Sequence, residues 1–259
     1  MMHDSHILVA THKHYEFPQN SLYQPIQVGR ALSSLELNIL SDDRGQNISV
    51  KNGSFCELTA LYWAWKNGFF CGKQYVGLVH YRRYFSGRDI PIKNRFILGE
   101  REISKLFEKV DCIVPKKRHY HIETVQSHYK NAHYLKDLEL TKKILLARNS
   151  DYLSAFEQIM TDTSLHLFNM FIMKSSLCEQ YCKWLFPILF ELEEKLDIST
   201  YSDYQKRVFG FIAERLFNVW LVHNKVKIAQ VKVINLEAEK IHLKVLNLLK
   251  RKFLKNAKK

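Results

Sequence analysis

The sequence predicts one α/β domain built on a mixed or mostly parallel sheet. Three observations point that way. Short apolar runs alternate with stretches of helical periodicity, which is the order of strands crossing over through helices. One such run opens the chain and ends in polar residues, as the first strand of a nucleotide-binding sheet does. The composition, 46% apolar over 259 residues with only 9 Gly and 5 Pro, is enough for a full core and too ordered for long disorder.

The elements follow from local pattern. His6-Ile7-Leu8-Val9-Ala10-Thr11-His12 is the opening buried strand. A loop rich in Pro, Asn and Tyr covers 15–25, and Ser41-Asp42-Asp43-Arg44-Gly45-Gln46-Asn47 is a polar turn cluster. Ser54 and Glu57 have capping-box spacing; the helix they open carries Leu58, Leu61, Tyr62 and Trp65 on its apolar side and exits at Asn67-Gly68. A second buried strand over 75–79 runs straight into His80-Tyr81-Arg82-Arg83-Tyr84-Phe85. A helix over 100–108 leads to a short strand, Cys112-Ile113-Val114, stopped by Pro115.

Residues 116–131, basic, aromatic and His-rich, form a long loop feeding a helix, and 138–159 are helical with a break at Asn149-Ser150. Residues 165–173 make an apolar strand interrupted by Asn169. Ser176 with Glu179 starts a helix through Glu194, kinked before Pro187, and a further helix spans 204–222. Residues 226–234 alternate Lys or Gln with Val or Ile, a half-exposed strand.

Charge separates the function classes. The net charge is +13, but eight cations and no acid fall within 240–259, so the other 239 residues carry +5. A nucleic-acid-binding domain would carry its basic face on the fold, so that class is excluded. Ile241, Val245, Leu248, Leu249 and Phe253 interleave with those cations, the pattern of a basic amphipathic helix on an anionic membrane surface. This divides the chain into a domain at 1–236 and a basic amphipathic tail at 237–259.

No run approaches the ~20 apolar residues of a membrane span, and the start has no signal-peptide pattern. The expected location is the cytoplasm, peripheral on the inner face of the plasma membrane. The five cysteines are odd in number and scattered, which favours reduced core thiols over zinc or disulfides.

In open α/β sheets ligands bind beyond the carboxyl ends of strands. Two strand ends are unusually polar here: Thr11-His12-Lys13 and His80-Tyr81-Arg82-Arg83. Guanidinium groups grip phosphate oxygens through paired N–H bonds, so the arginine pair suits a diphosphate; a charged strand end paired with carboxylates is the plainer alternative. If the chain stays extended, His80 and Arg82 share one face and Tyr81 and Arg83 the other.

Farther on, Arg207, Gly210, Glu214 and Asn218 form a polar helical stripe opposite Val208, Phe209, Ile212, Leu216, Val219 and Trp220. Glu214 there is either a general base for an acceptor hydroxyl or a solvated glutamate, and Gly210 lets a chain or ligand approach closely. Glu57 is assigned to the capping box. Asp42 and Asp43 suit a metal, a ribose or plain turn chemistry. Asn169 is a sugar-hydroxyl ligand or a satisfied core amide. His119, His121, His128 and His133 have no metal spacing and fit a loop that meets an anionic acceptor.

Several stretches together resemble a bacterial family catalogued as domain of unknown function 4422, found in capsule, exopolysaccharide and O-antigen gene clusters. They are residues 7–13 (Ile7-Leu8-Val9-Ala10-Thr11-His12-Lys13), 43–49 (Asp43-Arg44-Gly45-Gln46-Asn47-Ile48-Ser49), 57–63 (Glu57-Leu58-Thr59-Ala60-Leu61-Tyr62-Trp63), 77–85, 169–173 and 209–216. The resemblance covers about 6–222.

It implies a GT-A-like, Rossmann-type glycosyltransferase that moves a hexose, galactofuranose in some relatives, from a UDP-sugar to a polysaccharide or lipid-linked glycan, with inversion. Many GT-A enzymes hold a divalent metal with Asp-x-Asp at a strand exit where this chain reads His80-Tyr81-Arg82-Arg83. The expectation is therefore a cofactor-free, metal-independent enzyme in which arginine and tyrosine neutralise the leaving diphosphate, with Mn or Mg left open.

On this reading Glu214 is the catalytic base. Thr11, His12, Lys13, Asn47, Asn52, His80, Tyr81, Arg82 and Arg83 bind the donor, and His128, His133 and Asn169 meet the acceptor. The alternatives are a sugar-phosphate transferase of the same pathways and a non-catalytic, membrane-associated assembly module.

Overall fold

The structure is a computed structural model and describes residues 5–237. In chain order the strands are β1 (Ser5–Thr11), β2 (Tyr23–Gln27), β3 (Leu40–Ser41), β4 (Tyr75–His80), β5 (Arg83–Ile92), β6 (Arg95–Ile97), β7 (Cys112–Pro115), β8 (Arg118–His119), β9 (Ser164–Leu165), β10 (Phe171–Lys174), β11 (Ile228–Val231) and β12 (Val233–Asn235). The helices are α1 (Asn52–Phe55), α2 (Leu58–Lys66), α3 (Glu100–Phe107), α4 (Val125–Ala132), α5 (Leu135–Arg148), α6 (Leu153–Thr161), α7 (Ser175–Lys195) and α8 (Val208–His223).

Ten of these strands form one mixed sheet whose main path runs β11-β7-β10-β4-β1-β2-β3. β1 pairs in parallel with β2 and β4, while β10 runs antiparallel between β4 and β7. The α/β class with a mixed sheet flanked by helices is the one the sequence predicts. Alternation splits the apolar side chains between the two faces. Leu8, Leu78, Val114 and Phe171 join a large core under α2 and α5–α8. Ile7, Val79, Ile113 and Ile172 join a smaller one with Tyr84, Phe85 and Ile103.

The register creates the site. Ala10 pairs with His80, so β1 and β4 end side by side. Because β10 is reversed, its first residue, Phe171, lies opposite Leu78. The segment that precedes β10 therefore emerges at the same sheet edge as the exits of β1 and β4.

Four elements differ from the sequence expectation. The last three residues of the 15–25 loop open β2, despite Pro25. Val28 N–H donates to Thr11 on the β1 side, so by alternation the Pro25 nitrogen faces β3, which pairs only from Ile26 onward and needs no donor there. The 165–173 strand is two strands separated by a loop at 166–170. The 226–234 strand breaks at Lys232, where the chain leaves parallel pairing with β7 for antiparallel pairing with β5.

The capping box does not form: Ser54 lies inside α1 and its hydroxyl donates to the Lys51 carbonyl, while Cys56 adopts φ 54° and separates α1 from α2. Cys112, Cys178 and Cys182 are buried as core thiols, but Cys71 is exposed. No helix among the described residues is long and apolar enough to cross a membrane. Of the 237–259 tail only Glu237 falls within the described residues.

Candidate active site

A cavity of about 570 Å³ opens at the carboxyl edge of the sheet, a volume suited to a small-molecule ligand. Its walls come from the exits of β1 and β4, the α1–α2 junction, the 166–170 loop, the β7–α4 connection and one face of α8.

The floor is a hydrogen-bonded unit of carboxylates, amide and imidazole. Phe168 and Asn169 both have positive φ, 79° and 50°. Asn tolerates this region, but a bulky aromatic residue there is strained and must be held. Asn218 brackets the loop by accepting from His166 N–H at 3.0 Å and donating to its carbonyl at 2.9 Å. His166 Nδ1–H donates to the Pro115 carbonyl at 2.6 Å. Phe168 N–H donates to Glu214 Oε1 at 2.7 Å, and His80 Nε2–H donates to the Phe168 carbonyl at 2.7 Å. Asn169 Nδ2 donates to Glu57 Oε1 at 2.7 Å and to the Gly210 carbonyl at 3.1 Å. The loop thus fixes both carboxylates at once.

Glu214 Oε2 accepts from Arg215 Nη1 at 3.1 Å. Burial nevertheless raises the Glu214 carboxyl above the usual glutamate range, with nearby Glu57 pushing the same way and Arg215, the Phe168 N–H and Arg83 pulling it down. Burial lowers His80 below the ordinary imidazole value despite Glu57 Oε1 at 4.0 Å, so His80 is neutral and acts as a hydrogen-bond donor. Gly210 gives α8 its close approach: a Cβ there would stand 3.1 Å from Cys56 Sγ. Arg207 Nε donates to that sulfur at 3.2 Å. Burial pushes the Cys56 thiol up to about 12, so it is not a thiolate nucleophile.

The rim is cationic. His80 and Arg83 face each other across an antiparallel pair, with Tyr81-Arg82 as the turn between β4 and β5. The chain reverses here instead of staying extended, so the expected split of these four residues onto two faces does not occur; all four line the cavity. The Arg83 guanidinium lies 4.5 Å over the Phe168 ring. Arg82 Nη1 and Lys13 Nζ both bind the Glu237 carboxylate, at 3.0 and 3.1 Å. His12 is lowered by burial and by Lys13 and Arg82 beside it.

The far wall is aromatic and basic. His133 lies 4.1 Å from Phe211 and 5.8 Å from Tyr204, ring centre to ring centre, and Tyr204 is 51% exposed. His128 stacks on Tyr120 at 4.0 Å and bonds Glu123, while Arg118 adds a further cation.

A family model described as domain of unknown function 4422 matches residues 6–225. The chain belongs to this family. No curated protein matched it. Among solved structures it is similar to the apo structure of WbbM, a bifunctional glycosyltransferase, with 30% identity and a TM-score of 0.83 over 91% of this chain. The match spans 46% of the WbbM chain, about half its length.

Of the six stretches that carry the family resemblance, all but 43–49 reach the cavity. His12 at β1, Glu57 at α2, His80-Tyr81-Arg82-Arg83 at β4–β5, Asn169, and Gly210 with Glu214 on α8 all line it, as do His128 and His133. Asn52 lines it too, but its amide donates locally to the Cys56 carbonyl and Thr59 Oγ1. Three expected donor residues do not line it. Thr11 is buried and its hydroxyl closes the strand end onto the Lys13 carbonyl. Lys13 stands outside the wall, paired with Glu237, and the Asn47 amide is spent on the carbonyls of Asp43 and Gly45.

Asp42 is buried away from the cavity, accepting from Gly29 N–H, Arg30 N–H and Ser49 Oγ. Glu57 is the chief residue assigned elsewhere by sequence. Its capping spacing concealed it, while its place in a DUF4422 motif was the usable signal. Nothing in the sequence marks Phe168, whose role is carried by its backbone. Among the described residues no group of three or more His, Cys, Asp or Glu side chains is placed to hold a metal.

Proposed function

We propose that the protein is a glycosyltransferase that transfers a hexosyl unit from a UDP-sugar to a hydroxyl of a glycan or lipid-linked acceptor, with inversion. One observation carries the reading: a cavity with two fixed carboxylates at its floor, Glu57 and Glu214, and arginines at the strand-exit rim, Arg82 and Arg83. That is the charge layout transfer chemistry requires. An acceptor hydroxyl is far too weak an acid to ionise near neutrality, so a carboxylate takes its proton as the new C–O bond forms. The bond from the anomeric carbon to the diphosphate oxygen breaks in the same displacement, and the departing charge needs fixed cations.

Glu214 serves as the base, since its raised pKa brings it nearer working pH and strengthens it as a proton acceptor. Arg83 and Arg82 take the diphosphate with Tyr81 beside them, without a metal. The aromatic wall of His133, Tyr204 and Phe211 suits the apolar face of an acceptor sugar. Galactofuranose is the donor sugar the family resemblance favours, and the basic residues of 240–259 suit an acceptor held at an anionic membrane surface.

The test is to incubate purified protein with UDP-galactofuranose, UDP-galactopyranose and UDP-glucose, with and without lipid-linked glycan, and to follow products by mass. The expected product gains one hexosyl unit and releases UDP. A product heavier by a sugar phosphate, or no turnover of any donor, overturns the reading. Transfer is expected to persist in excess chelator; complete loss restored by manganese refutes the metal-independent form.

A further inference from the structure

The positive charge of the folded domain is not evenly spread. Residues 81–97, the β4–β5 turn with β5 and β6, hold Arg82, Arg83, Arg88, Lys93 and Arg95 with Asp89 as the lone acid. That is a surplus of four, out of the +5 carried by all of 1–239. One hairpin arm therefore holds most of the domain's excess charge.

The arm curls back to the cavity rim. A register shift between Ser86 and Ile90 interrupts the β5–β6 pairing, and such irregularities bend a strand. At the tip Lys93 Nζ donates to the Tyr15 hydroxyl at 3.1 Å and lies 4.2 Å from the centre of its ring. Tyr15 packs edge-on against Tyr81 at 4.9 Å, and Lys13 Nζ stands 4.9 Å over the Tyr81 ring. Lys93, Lys13 and Arg82 thus form one cationic strip across two tyrosines. Glu237 is spent between Lys13 and Arg82, and Glu16, next in sequence to Tyr15, trims the surplus without reversing it.

The tip itself is open. Lys93, Asn94, Arg95 and Phe96 are all exposed, Phe96 at 54%, with exposed Pro91 opposite it in the pairing. A singly exposed apolar residue is ordinary; here it stands among cations, beside the root of the basic segment. β12 pairs with β5, and Glu237 is held on the rim by Arg82 and Lys13. The sequence runs on for 22 residues past Glu237, with eight cations and no acid from Lys240 onward. The domain's own surplus and the start of that segment are therefore adjacent.

An aromatic side chain among Lys and Arg suits an interface that is anionic at its surface and apolar just beneath. A single-stranded nucleic acid would instead need open ring faces for its bases, and the rings of Tyr15 and Tyr81 already carry Lys93 and Lys13. We propose that the β5–β6 arm docks on an anionic lipid bilayer, with Phe96 entering the headgroup layer and Lys93 and Arg95 meeting lipid phosphates, so that the cavity mouth is held beside the membrane. This adds a contact made by the folded domain to the one proposed for 240–259, and it does not depend on the transfer chemistry.

The experiment is co-sedimentation of the full-length chain with vesicles of phosphatidylcholine, with and without one-third phosphatidylglycerol. Wild type is expected to bind the anionic vesicles only. With the basic segment intact, the double variant Lys93→Ala/Arg95→Ala should weaken partitioning roughly 10- to 30-fold, about fivefold for each charge. Phe96→Ser should weaken it about 3- to 10-fold. Ile122→Ser, an exposed apolar change in the loop between β8 and α4, should leave it within about twofold of wild type. Thermal unfolding reports the fold of each variant. If the double variant does not fold, Phe96→Trp decides: its added emission should be quenched by brominated lipid in anionic vesicles. Wild-type partitioning of the arm variants assigns all binding to 240–259 and overturns the inference. Loss in Ile122→Ser with none in Phe96→Ser overturns it too, as does binding to single-stranded RNA with none to vesicles. Docking without turnover of any donor keeps this contact and removes the glycosyltransferase reading, whereas turnover of a soluble acceptor without docking does the reverse.

Discussion

At the floor of the cavity Glu214 is tied to the Phe168 N–H, Arg215 to the Phe211 carbonyl and the neutral His80 to the Phe168 carbonyl, while Glu57 is held by the Asn169 amide. At the rim, Lys13, Arg82 and Glu237 form a network whose side chains are 34–44% exposed and which touches no backbone. The two regions answer different demands. A group that moves a proton must sit within a fraction of an ångström of its partner, and only a desolvated, over-determined frame holds it there. A group that receives a large anion needs charge in roughly the right place and the freedom to release its present partner. The floor is built for position and the rim for exchange, so substitutions in them should differ in size and kind.

The largest effect belongs to Glu214→Gln. Turnover should fall about 10²- to 10⁴-fold with donor binding largely intact, measured by steady-state kinetics beside calorimetric titration of UDP. Glu57→Gln is the control that sharpens the assignment. Glu57 Oε1 is already spent on Asn169, so its loss should raise KM more than it lowers kcat. Near-normal turnover in Glu214→Gln with collapse in Glu57→Gln would exchange their roles.

The raised Glu214 pKa gives a pH signature of two signs. The base works ionised, so kcat/KM should fall on acidification at a higher pH than an ordinary glutamate would give. Stability runs the other way. A carboxyl raised on folding binds its proton more tightly in the native state, so its protonation stabilises the fold, and that contribution disappears as pH rises through the folded value. His12, His80, His128 and His166 are all lowered by burial and oppose this trend in the whole protein, because acid must charge them. The comparison must therefore be differential: the melting temperature of Glu214→Gln relative to wild type should be highest near neutrality and decline toward acid. A flat difference from pH 4 to 8 would show that Glu214 is not strained by burial.

Next in size is the support of the floor. Asn218 hydrogen-bonds the His166 N–H and carbonyl and the Glu214 carbonyl, and so holds the loop that aims both carboxylates. Asn218→Ala leaves the His166 N–H and carbonyl unmet and should cost about 1–3 kcal/mol in denaturant unfolding, with a drop in kcat among molecules that remain folded. An unchanged kcat would mean the loop keeps its shape without that bracket.

The same contrast explains what the sequence could disclose. Periodicity located β1, β4, β7 and α8; of the predicted stripe, Arg207 just before α8 and Gly210 and Glu214 within it face the cavity, because a helix displays its faces in its spacing, while Asn218 is buried and does not line it. The strand-exit cations were legible for the same reason: charge after an apolar run is visible in the letters. The loop at 166–170 was not. Leu165 through Met173 reads as one apolar strand with Asn169 inside it, and what breaks it is a pair of positive-φ residues in a loop that Asn218 holds at His166, 52 positions away. Likewise the His80–Arg83 turn contains neither Gly nor Pro, so nothing local announces it. Lys13, Thr11 and Asn47 show the converse error, in which polar residues near a site spend their groups on local backbone or on Glu237.

The smallest effect tests the rim itself. Glu237 fills the gap between Lys13 and Arg82 with one carboxylate, and those cations hold its carboxyl below the usual range, Arg82 first. Exposed pairs of this kind are weak and screened by salt, so a diphosphate carrying more charge can take their place. If the rim exchanges partners, Glu237→Gln removes a competitor and should tighten UDP binding by roughly two- to fivefold at low salt, with the gain fading as ionic strength rises. kcat should barely change, because Glu237 does not reach the floor. Weaker UDP binding in Glu237→Gln would mean that the carboxylate holds Lys13 and Arg82 in the conformation the donor needs, and the rim would then be a positioned structure like the floor.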